Sequence, residues 1–180
     1  MTDAASPLVI RRLDATQVCA QCAALGSVLV DCVEGGASVS FMSPFTQDDG
    51  ERFFAAVADQ VAAGDAALLA AYVGDGLVGT VQVHLAMPPN QPHRAEVKKM
   101  LVASAARRRG AGAALLAAAE ALASAAGRTL ACLDTLRGTD AERLYRANGW
   151  IECGCIPHYA LLPHGGAPQP TVIFYKELAP

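Results

Sequence analysis

Apolar residues recur along the chain with two different periods, and the two periods predict different elements. A helical period is present at about 17–32, 48–63, 113–122 and 140–148. Shorter apolar runs predict strands at about 9–13, 67–73, 77–85, 95–102, 129–134, 150–156 and 171–177. The proline- and glycine-rich segment 158–170 is predicted to be a loop. This order predicts a mixed α/β fold in which a central sheet of about six to seven strands is flanked by about four helices.

Length and charge narrow the class of protein. At 180 residues the chain is expected to form a single domain over residues 1–180. Its 14 basic and 17 acidic residues give a net charge of −3, which argues against a nucleic-acid partner. The N-terminus lacks the layout of a signal peptide, and no apolar run is long and charge-free enough to span a bilayer. We therefore expect a cytoplasmic protein without a membrane partner, and both a monomer and a homodimer remain open.

The six cysteines do not form a convincing metal site. Cys19 and Cys22 form one C-x-x-C pair, but the second pair, Cys153 and Cys155, has the spacing of one strand face. A structural zinc site needs further ligands at metal-binding spacing, which the sequence does not supply. No metal is therefore expected, and the cysteines are interpreted as small buried hydrophobic residues.

A basic, glycine-bearing turn stands between the strand at 95–102 and the helix that follows it. It consists of Arg107, Arg108, Arg109, Gly110, Ala111 and Gly112. The free backbone N–H groups and the positive end of the helix dipole point towards whatever this turn holds. The glycines allow the backbone to approach a ligand, and the arginines supply forked donors for phosphate oxygens. The turn predicts a pyrophosphate-binding cradle, and the alternative is a solvated basic turn before a helix.

Two other phosphate-binding motifs do not fit this turn. No Lys-Ser or Lys-Thr follows the glycines, and Leu115 stands where a dinucleotide fingerprint has its third glycine. The pattern present is R-x-x-G-x-G, at Arg107, Gly110 and Gly112. It resembles the acetyl-CoA signature of the GCN5-related N-acetyltransferase (GNAT) superfamily. The order of elements is also that of this superfamily, so the resemblance covers nearly the whole chain.

Several local segments also resemble one branch of the superfamily, the tabtoxin-resistance proteins: 35–42, 94–97, 133–135 and 171–176. That branch acetylates a small β-lactam amino-acid toxin. The resemblance therefore implies transfer of an acetyl group from acetyl-CoA to the primary amine of a small molecule, such as an amino-acid-like toxin or antibiotic. Two alternatives stay open, namely a non-catalytic acyl-CoA sensor of the same fold and a protein or peptide N-acetyltransferase. Gly138 departs from the family, because many members have an asparagine there that contacts the cofactor.

The resemblance also implies how the rest of the cofactor is held. The backbone of Met100, Leu101 and Val102 would lend an unpaired strand edge to the amides of the pantetheine arm. A bulge nearby would aim a backbone N–H at the thioester oxygen, although the sequence does not reveal such a bulge.

Glu96 is the first candidate for the general base. By resemblance, a glutamate six residues before Val102 has this role in the histone-modifying branch of the superfamily. Strand alternation predicts that Glu96 shares a face with Lys98, Met100 and Val102. The alternative is an exposed glutamate at a strand end, paired with Arg94 or Lys98.

Two further residues are candidates for proton transfer. Asp134 closes an apolar strand, where ligands enter sheets of this kind, so it is expected to bind the ammonium or share the role of base. The alternative is a cap for the following loop through Thr135 or Thr139. Tyr145 resembles the tyrosine of the family's last helix, which protonates the departing CoA thiolate. The alternative is a tyrosine of the core.

The acceptor side is predicted from the loops. By resemblance, the residues that contact the acceptor are expected to include Gly35, Gly36, Ser38 and Tyr159. His93 stands beside Arg94 and is the histidine expected to contact the substrate.

Overall fold

The structure is a computed structural model that describes residues 6–179. Within that range the chain forms seven strands and five α-helices. In chain order these are β1 (Leu8–Leu13), α1 (Ala15–Ala20), α2 (Cys22–Glu34), α3 (Gln47–Ala63), β2 (Ala66–Val73), β3 (Gly76–His84), β4 (Arg94–Val102), α4 (Ala111–Ala125), β5 (Leu130–Leu136), α5 (Asp140–Ala147), β6 (Ile151–Leu162) and β7 (Gly165–Glu177). The predicted mixed α/β fold is confirmed. None of the helices in this range is long and apolar enough to cross a membrane.

The first predicted helix is divided into two. Asp14 caps α1 by accepting a hydrogen bond from the backbone N–H of Gln17 at 2.8 Å. The helical dihedral angles end at Gln21, which has φ −113° and ψ 13°. The side chain of Gln21 accepts a hydrogen bond from the hydroxyl of Tyr72 on β2. The division therefore coincides with a contact to the sheet that the helical period of the sequence does not report.

The seven strands form one sheet in the order β1-β2-β3-β4-β5-β7-β6. Neighbouring strands are antiparallel except for β4 and β5, which run parallel. The parallel ladder has only three pairs, from Arg94 opposite Leu130 to Glu96 opposite Cys132. Beyond Glu96 the two strands share no further pair in the described chain, so the sheet opens between their carboxyl ends.

The sheet separates two apolar layers. One face packs on α4, where Leu115, Leu116 and Ala119 are fully buried. The opposite face packs on α2 and α3, where Leu25 and Phe54 are fully buried. Burial on both faces explains why the central strands have nearly continuous apolar runs in the sequence.

Strand β4 contains a β-bulge. Leu101 lies opposite Thr80 and Lys98 lies opposite Gln82, so two residues of β4 occupy the space of one residue of β3. One of these two is Lys99, whose φ of 49° is in the left-handed region. The bulge that the resemblance implied is therefore present at residues 99–100.

The bulge reverses the faces of β4. Val97 belongs to the layer under α4, and Met100 and Val102 pack against that same layer. Leu101, in contrast, belongs to the layer under α2 and α3. The prediction that Glu96 shares a face with Met100 and Val102 is therefore wrong, because simple alternation fails where an extra residue enters the strand.

The segment 158–170 is not a loop, and that prediction is wrong. Strands β6 and β7 pair through it, with Ala160 opposite Gln169 and Leu162 opposite Gly165. The ladder contains register shifts, and proline is tolerated at such irregularities because a missing N–H does not break a regular ladder. Gly165 and Gly166, with φ of 83° and 93°, allow the tight return of the chain.

Candidate active site

A cavity of about 1110 Å³ opens where β4 and β5 separate. Its lining comes from the end of β4, the end of β5, the turn before α4, the start of α5 and the loop after α2. The carboxyl ends of parallel strands are a common location for ligand sites, because the strands there lack pairing partners. Two segments that contribute to this lining recur below: the cradle, residues 107–112, and the acceptor loop, residues 35–45, of which residues 35–40 line the cavity.

Backbone geometry shapes the cradle. Helix α4 begins at Ala111, and Gly110 precedes it in the left-handed conformation, with φ 87° and no side-chain cap. The first N–H groups of α4 are therefore free to bind an anion. Four of the predicted cradle residues line the cavity: Arg107, Arg108, Gly110 and Gly112. Arg109 and Ala111 lie outside its lining, and Ala111 is buried.

The arginines of the cradle have different partners. Arg107 folds back onto the end of β4, where its Nε donates to the carbonyl oxygen of Val102 at 3.1 Å. Its Nη2 approaches the sulfur of the buried Cys32 at 3.8 Å. Arg108 extends further and lies 4.0 Å from the carboxylate of Asp140, at the start of α5. Both arginines are exposed and line the cavity.

The edge of β4 that faces the cavity is unpaired. Met100, Leu101 and Val102 all line the cavity. Leu101 and Val102 pair with β3 on their other side, and Met100, in the bulge, has no ladder partner among residues 6–179. An unpaired edge offers alternating N–H and C=O groups to an extended ligand that carries amides. The cradle and this edge are contiguous parts of one cavity, so they can hold an anionic group and an amide chain of the same molecule.

Asp134 lies on the β5 side of the cavity. The strand continues two residues beyond it to Leu136, so the prediction that Asp134 ends the strand is wrong. Asp134 is exposed at the cavity, and one of its oxygens accepts a hydrogen bond from the Thr171 hydroxyl at 3.1 Å. Thr139 is itself the N-cap of α5 and accepts from the backbone N–H of Glu142 at 3.3 Å. Asp134 is thus directed to the cavity while Thr139 caps the helix.

Glu96 lies outside the lining of the cavity. Its carboxylate accepts from Arg94 Nη1 at 2.8 Å and from Lys98 Nζ at 2.5 Å. Burial by itself would raise the pKa of Glu96, but the hydrogen bonds from Lys98 and Arg94 outweigh burial and lower that pKa. Glu96 is therefore ionised at neutral pH and held between two cations.

Tyr145 lines the cavity from α5 with only 6% of its surface exposed. Its ring packs against Trp150 and Phe174, with centroid distances of 6.0 and 6.1 Å. Burial, and secondly the negative charge of Asp134, raises the pKa of the Tyr145 phenol well above its usual range. The phenol is therefore protonated at neutral pH, and it has no hydrogen-bond partner among residues 6–179.

The predicted acceptor residues divide into two groups. Gly35, Gly36 and Ser38 line the cavity. His93 does not; it is exposed before the first residue of β4, and its carbonyl oxygen accepts from the N–H of Thr129 at 2.9 Å. Tyr159, on β6, is 55% exposed and also lies outside the lining.

Lys99 is a cavity residue that the sequence analysis missed. Its Nζ donates to the carbonyl oxygen of Val39 at 2.6 Å and to the hydroxyl of Ser40 at 3.0 Å. A sequence signal was available, because the alternation of polar and apolar residues from Arg94 to Lys98 is interrupted at Lys99. Such an interruption indicates a bulge.

The cysteines differ in exposure, and no cluster of potential metal ligands is found within residues 6–179. Cys32 is buried, but Cys19 and Cys153 are exposed. The interpretation of the cysteines as buried hydrophobic residues is therefore wrong for these two, because each lies on the solvent side of its helix or strand.

A known protein family matches the part of the chain that forms most of the cavity. A family model described as an acetyltransferase (GNAT) domain matches residues 50–152, which is more than half of the chain. That range includes β4, the cradle, β5 and α5. The match therefore covers most of the elements that build the cavity, although not the acceptor loop.

Three solved structures illustrate the similarity of the fold. The Salmonella typhimurium protein yncA, described as an acetyltransferase and solved with its cofactor acetyl-CoA, is 17% identical, with a TM-score of 0.77 over 96% of this chain and 94% of that one. A ribosomal-protein-alanine N-acetyltransferase from Brucella melitensis is 23% identical, with a TM-score of 0.74 over 94% and 99%. A protein described as a phosphinothricin N-acetyltransferase is 19% identical, with a TM-score of 0.76 over 97% and 100%.

Proposed function

The chain belongs to the GNAT acetyltransferase family and is an acetyl-CoA-dependent acetyltransferase, and we propose that its acceptor is the primary amine of a small molecule. The amino-acid-like toxins and antibiotics that the tabtoxin-resistance branch suggests are the first acceptors to consider. The segments that resemble that branch support a small acceptor, and the first of them, residues 35–42, lies in the acceptor loop. The acceptor loop is fastened to the tip of the β6–β7 hairpin, where the N–H of Ser43 donates to the carbonyl oxygen of Pro163 at 2.9 Å.

The residues at the cavity fit acetyl-CoA. The cradle offers free helix N–H groups and arginines for the pyrophosphate, and the unpaired edge of Met100 to Val102 suits the amides of the pantetheine arm. When bound, acetyl-CoA supplies the acetyl group as a thioester. Gly112 lets α4 pack close to α5 at the cavity, because a Cβ there would lie 3.1 Å from the Leu144 side chain.

We propose that Asp134 receives the proton of the acceptor ammonium. It lies on the cavity wall, and the acceptor loop bounds the same cavity. The amine nitrogen then forms a bond to the acetyl carbon while the bond from that carbon to the CoA sulfur breaks. The alternative base is Glu96, which lies outside the lining and would need a water molecule to relay the proton.

Two other groups complete the proposed chemistry. The bulge at Lys99 and Met100 takes a residue out of the regular ladder, so a backbone N–H there is available for the thioester oxygen. Tyr145 lines the cavity and is protonated at neutral pH, so it is the proposed donor of a proton to the CoA thiolate. The nitrogen, once bonded to the acetyl carbon, loses its second proton to the Tyr145 phenolate, and Asp134 releases its proton to water. The products are the acetylated amine and the free CoA thiol.

An acceptor screen tests this function. Purified protein is incubated with acetyl-CoA and one amine at a time, and release of free thiol is measured with a thiol-detecting reagent. The panel contains amino acids, amino-acid-like antibiotics, peptides with an N-terminal alanine, and a sample without acceptor.

We expect thiol release with a small amine and little with the peptides. Preference for a peptide would favour a protein N-acetyltransferase instead. If CoA binds but no amine accelerates thiol release, the chain is a sensor of acyl-CoA and the proposed function is wrong.

A further inference from the structure

The ammonium of Lys99 lies between the sheet and the acceptor loop. It donates to Val39 O at 2.6 Å and to Ser40 Oγ at 3.0 Å, and it stands 5.1 Å from the ring centroid of Phe41. Among residues 6–179 it forms no ion pair with a carboxylate. Three successive residues of the acceptor loop thus surround one charged group from β4.

Such a position is unfavourable for a lysine unless its charge is compensated. Burial lowers the pKa of the Lys99 ammonium, and the negative charge of Asp134 only partly opposes this. Two hydrogen bonds and the aromatic face of Phe41 offset the loss of water. An uncharged side chain would fill the same space without this penalty, so the charge indicates a role beyond packing.

The backbone on both sides of this contact is unusual. Lys99 has φ 49° and Ser40 has φ 71°, and neither is a glycine. Residues with side chains persist in the left-handed region when the surrounding contacts hold them there. The hydrogen bond between the two side chains therefore joins two strained segments, the bulge of β4 and the middle of the acceptor loop.

The far end of the acceptor loop has its own attachments. Glu34 accepts hydrogen bonds from the N–H of Phe45 and the hydroxyl of Ser43, both at 2.9 Å. Pro163 on the β6–β7 hairpin accepts from the N–H of Ser43. These contacts hold residues 43–45. The Phe41 ring packs against Phe45 and Phe53, with centroid distances of 4.7 and 5.2 Å, and Lys99 adds the polar attachment of residues 39–41 to the bulge.

We propose that Lys99 is a positioning residue that fastens the acceptor loop to the β4 bulge, so that the wall that receives the amine and the backbone that faces the thioester are held in one arrangement. The expected change in acceptor KM rests on the proposed function, whereas the expected change in hydrogen exchange of the acceptor loop does not. Lys99 acts through the loop and is not a proton donor or acceptor in the reaction.

The test compares Lys99→Met with a matched control, Arg11→Met. Arg11 also places a cation over an aromatic ring, 5.0 Å from the centroid of Tyr72, but it lies outside the cavity. Hydrogen exchange of the backbone amides of residues 38–42 is measured for each variant. Acceptor KM, kcat and the CoA affinity from calorimetry are measured in parallel.

In Lys99→Met we expect faster exchange at residues 38–42 and an acceptor KM raised about tenfold, the effect of losing a hydrogen bond to a charged group. The CoA affinity stays at its wild-type value. Lys99→Arg, which keeps the charge and the donors, restores part of both effects. Arg11→Met changes neither exchange at residues 38–42 nor acceptor KM.

Ser40→Gly provides a second route if Lys99→Met does not fold. It removes one acceptor of the Lys99 ammonium, leaves β4 intact and suits the left-handed backbone. We expect a smaller change in the same direction. Unchanged exchange and unchanged acceptor KM in the folded variants would overturn the inference. If the variants exchange faster but the wild-type protein acetylates no amine, the positioning role of Lys99 is supported and the proposed function is wrong.

Discussion

The cradle and the acceptor loop border the same cavity but are held in place by different means. The cradle is built from neighbouring residues, because the left-handed Gly110 and the first turn of α4 set its shape. The acceptor loop depends on side chains from remote parts of the chain. Lys99 reaches Val39 across 60 residues of sequence, and Pro163 of the hairpin holds Ser43.

Because of this difference, the cradle and the acceptor loop are sensitive to different kinds of substitution. A site made of backbone tolerates changes of side chain but is sensitive to a residue that disturbs its dihedral angles. A loop held by remote side chains is sensitive to loss of any one of them. The cradle and the acceptor loop are therefore expected to respond differently to substitution.

The largest expected effect concerns Asp134, the carboxylate on the cavity wall between the cradle and the acceptor loop. Asp134→Asn keeps the shape of the side chain but removes the proton acceptor. We expect turnover to fall about 10²- to 10⁴-fold with unchanged CoA affinity. Steady-state kinetics with saturating acetyl-CoA measure this change.

Glu96→Gln is the matched variant for this measurement. It makes the same chemical change on a carboxylate outside the cavity lining. A smaller loss of turnover in Glu96→Gln assigns the role of base to Asp134. If Glu96→Gln is inactive and Asp134→Asn is active, the assignment reverses.

The second effect concerns the departing thiolate on the α5 side of the cavity. Tyr145→Phe removes one hydroxyl and little volume, and we expect turnover to fall about a hundredfold. The defect should shrink with an acyl donor whose leaving thiol is more acidic. Because the pKa of Tyr145 is raised, its protonated form persists above the usual tyrosine value of about 10, so its ionisation causes no loss of rate near neutral pH.

Normal turnover of Tyr145→Phe, under conditions where chemistry limits the rate, would show that Tyr145 has only a packing role. Its packing against Trp150 and Phe174 already provides that alternative. The thermal midpoint of the variant distinguishes the cases, because a purely structural tyrosine affects stability and not turnover.

The third effect tests whether the cradle depends on its backbone. Gly110 and Gly127 precede and follow α4 with φ of 87° and 74°, and a Cβ on either would meet no atom within 4 Å. Gly110→Ala and Gly127→Ala should therefore destabilise the fold by a similar amount, about 1 kcal/mol each. Only Gly110 lines the cavity, so only Gly110→Ala should weaken CoA binding, by about tenfold.

Calorimetric titration with CoA and thermal unfolding measure the two quantities for both alanine variants. Equal CoA affinity in Gly110→Ala and Gly127→Ala would show that phosphate binding does not rely on the backbone of the cradle. The cradle would then not differ from the acceptor loop in depending on its backbone for binding.

The smallest effect concerns the far end of the acceptor loop. Glu34→Gln removes the charge that accepts hydrogen bonds from Phe45 and Ser43. We expect faster exchange of the Phe45 amide and a rise in acceptor KM smaller than that of Lys99→Met. CoA affinity should not change.

Acid should mimic this substitution. The hydrogen bonds from Phe45 and Ser43 lower the pKa of Glu34. A lowered pKa means that the carboxylate contributes its stabilisation above its ordinary value of about 4.3 and loses it as the pH falls through the lower value in the fold. Amide exchange at Phe45, corrected for its intrinsic pH dependence, should therefore accelerate only below that ordinary value. Acceleration near neutral pH would exclude Glu34 as the cause.

The elements that the sequence predicted are those with local causes. The R-x-x-G-x-G pattern lies within six residues, and its helix start and left-handed glycine follow from those residues alone. The hairpin at 158–170 was missed because its proline and glycine residues indicate a loop, whereas pairing with a remote strand decides its conformation.

The sequence by itself determined the mixed α/β fold, the family and the glycine turn that starts α4, because each depends on periodicity or on residues that are close along the chain. The tertiary structure alone decided which side chains meet in the cavity. A single extra residue at Lys99 reverses the face of every following residue of β4, and the resulting contacts join segments that are remote in sequence. That is why the face of Glu96 was predicted wrongly and why the contact of Lys99 with the acceptor loop was not predicted at all.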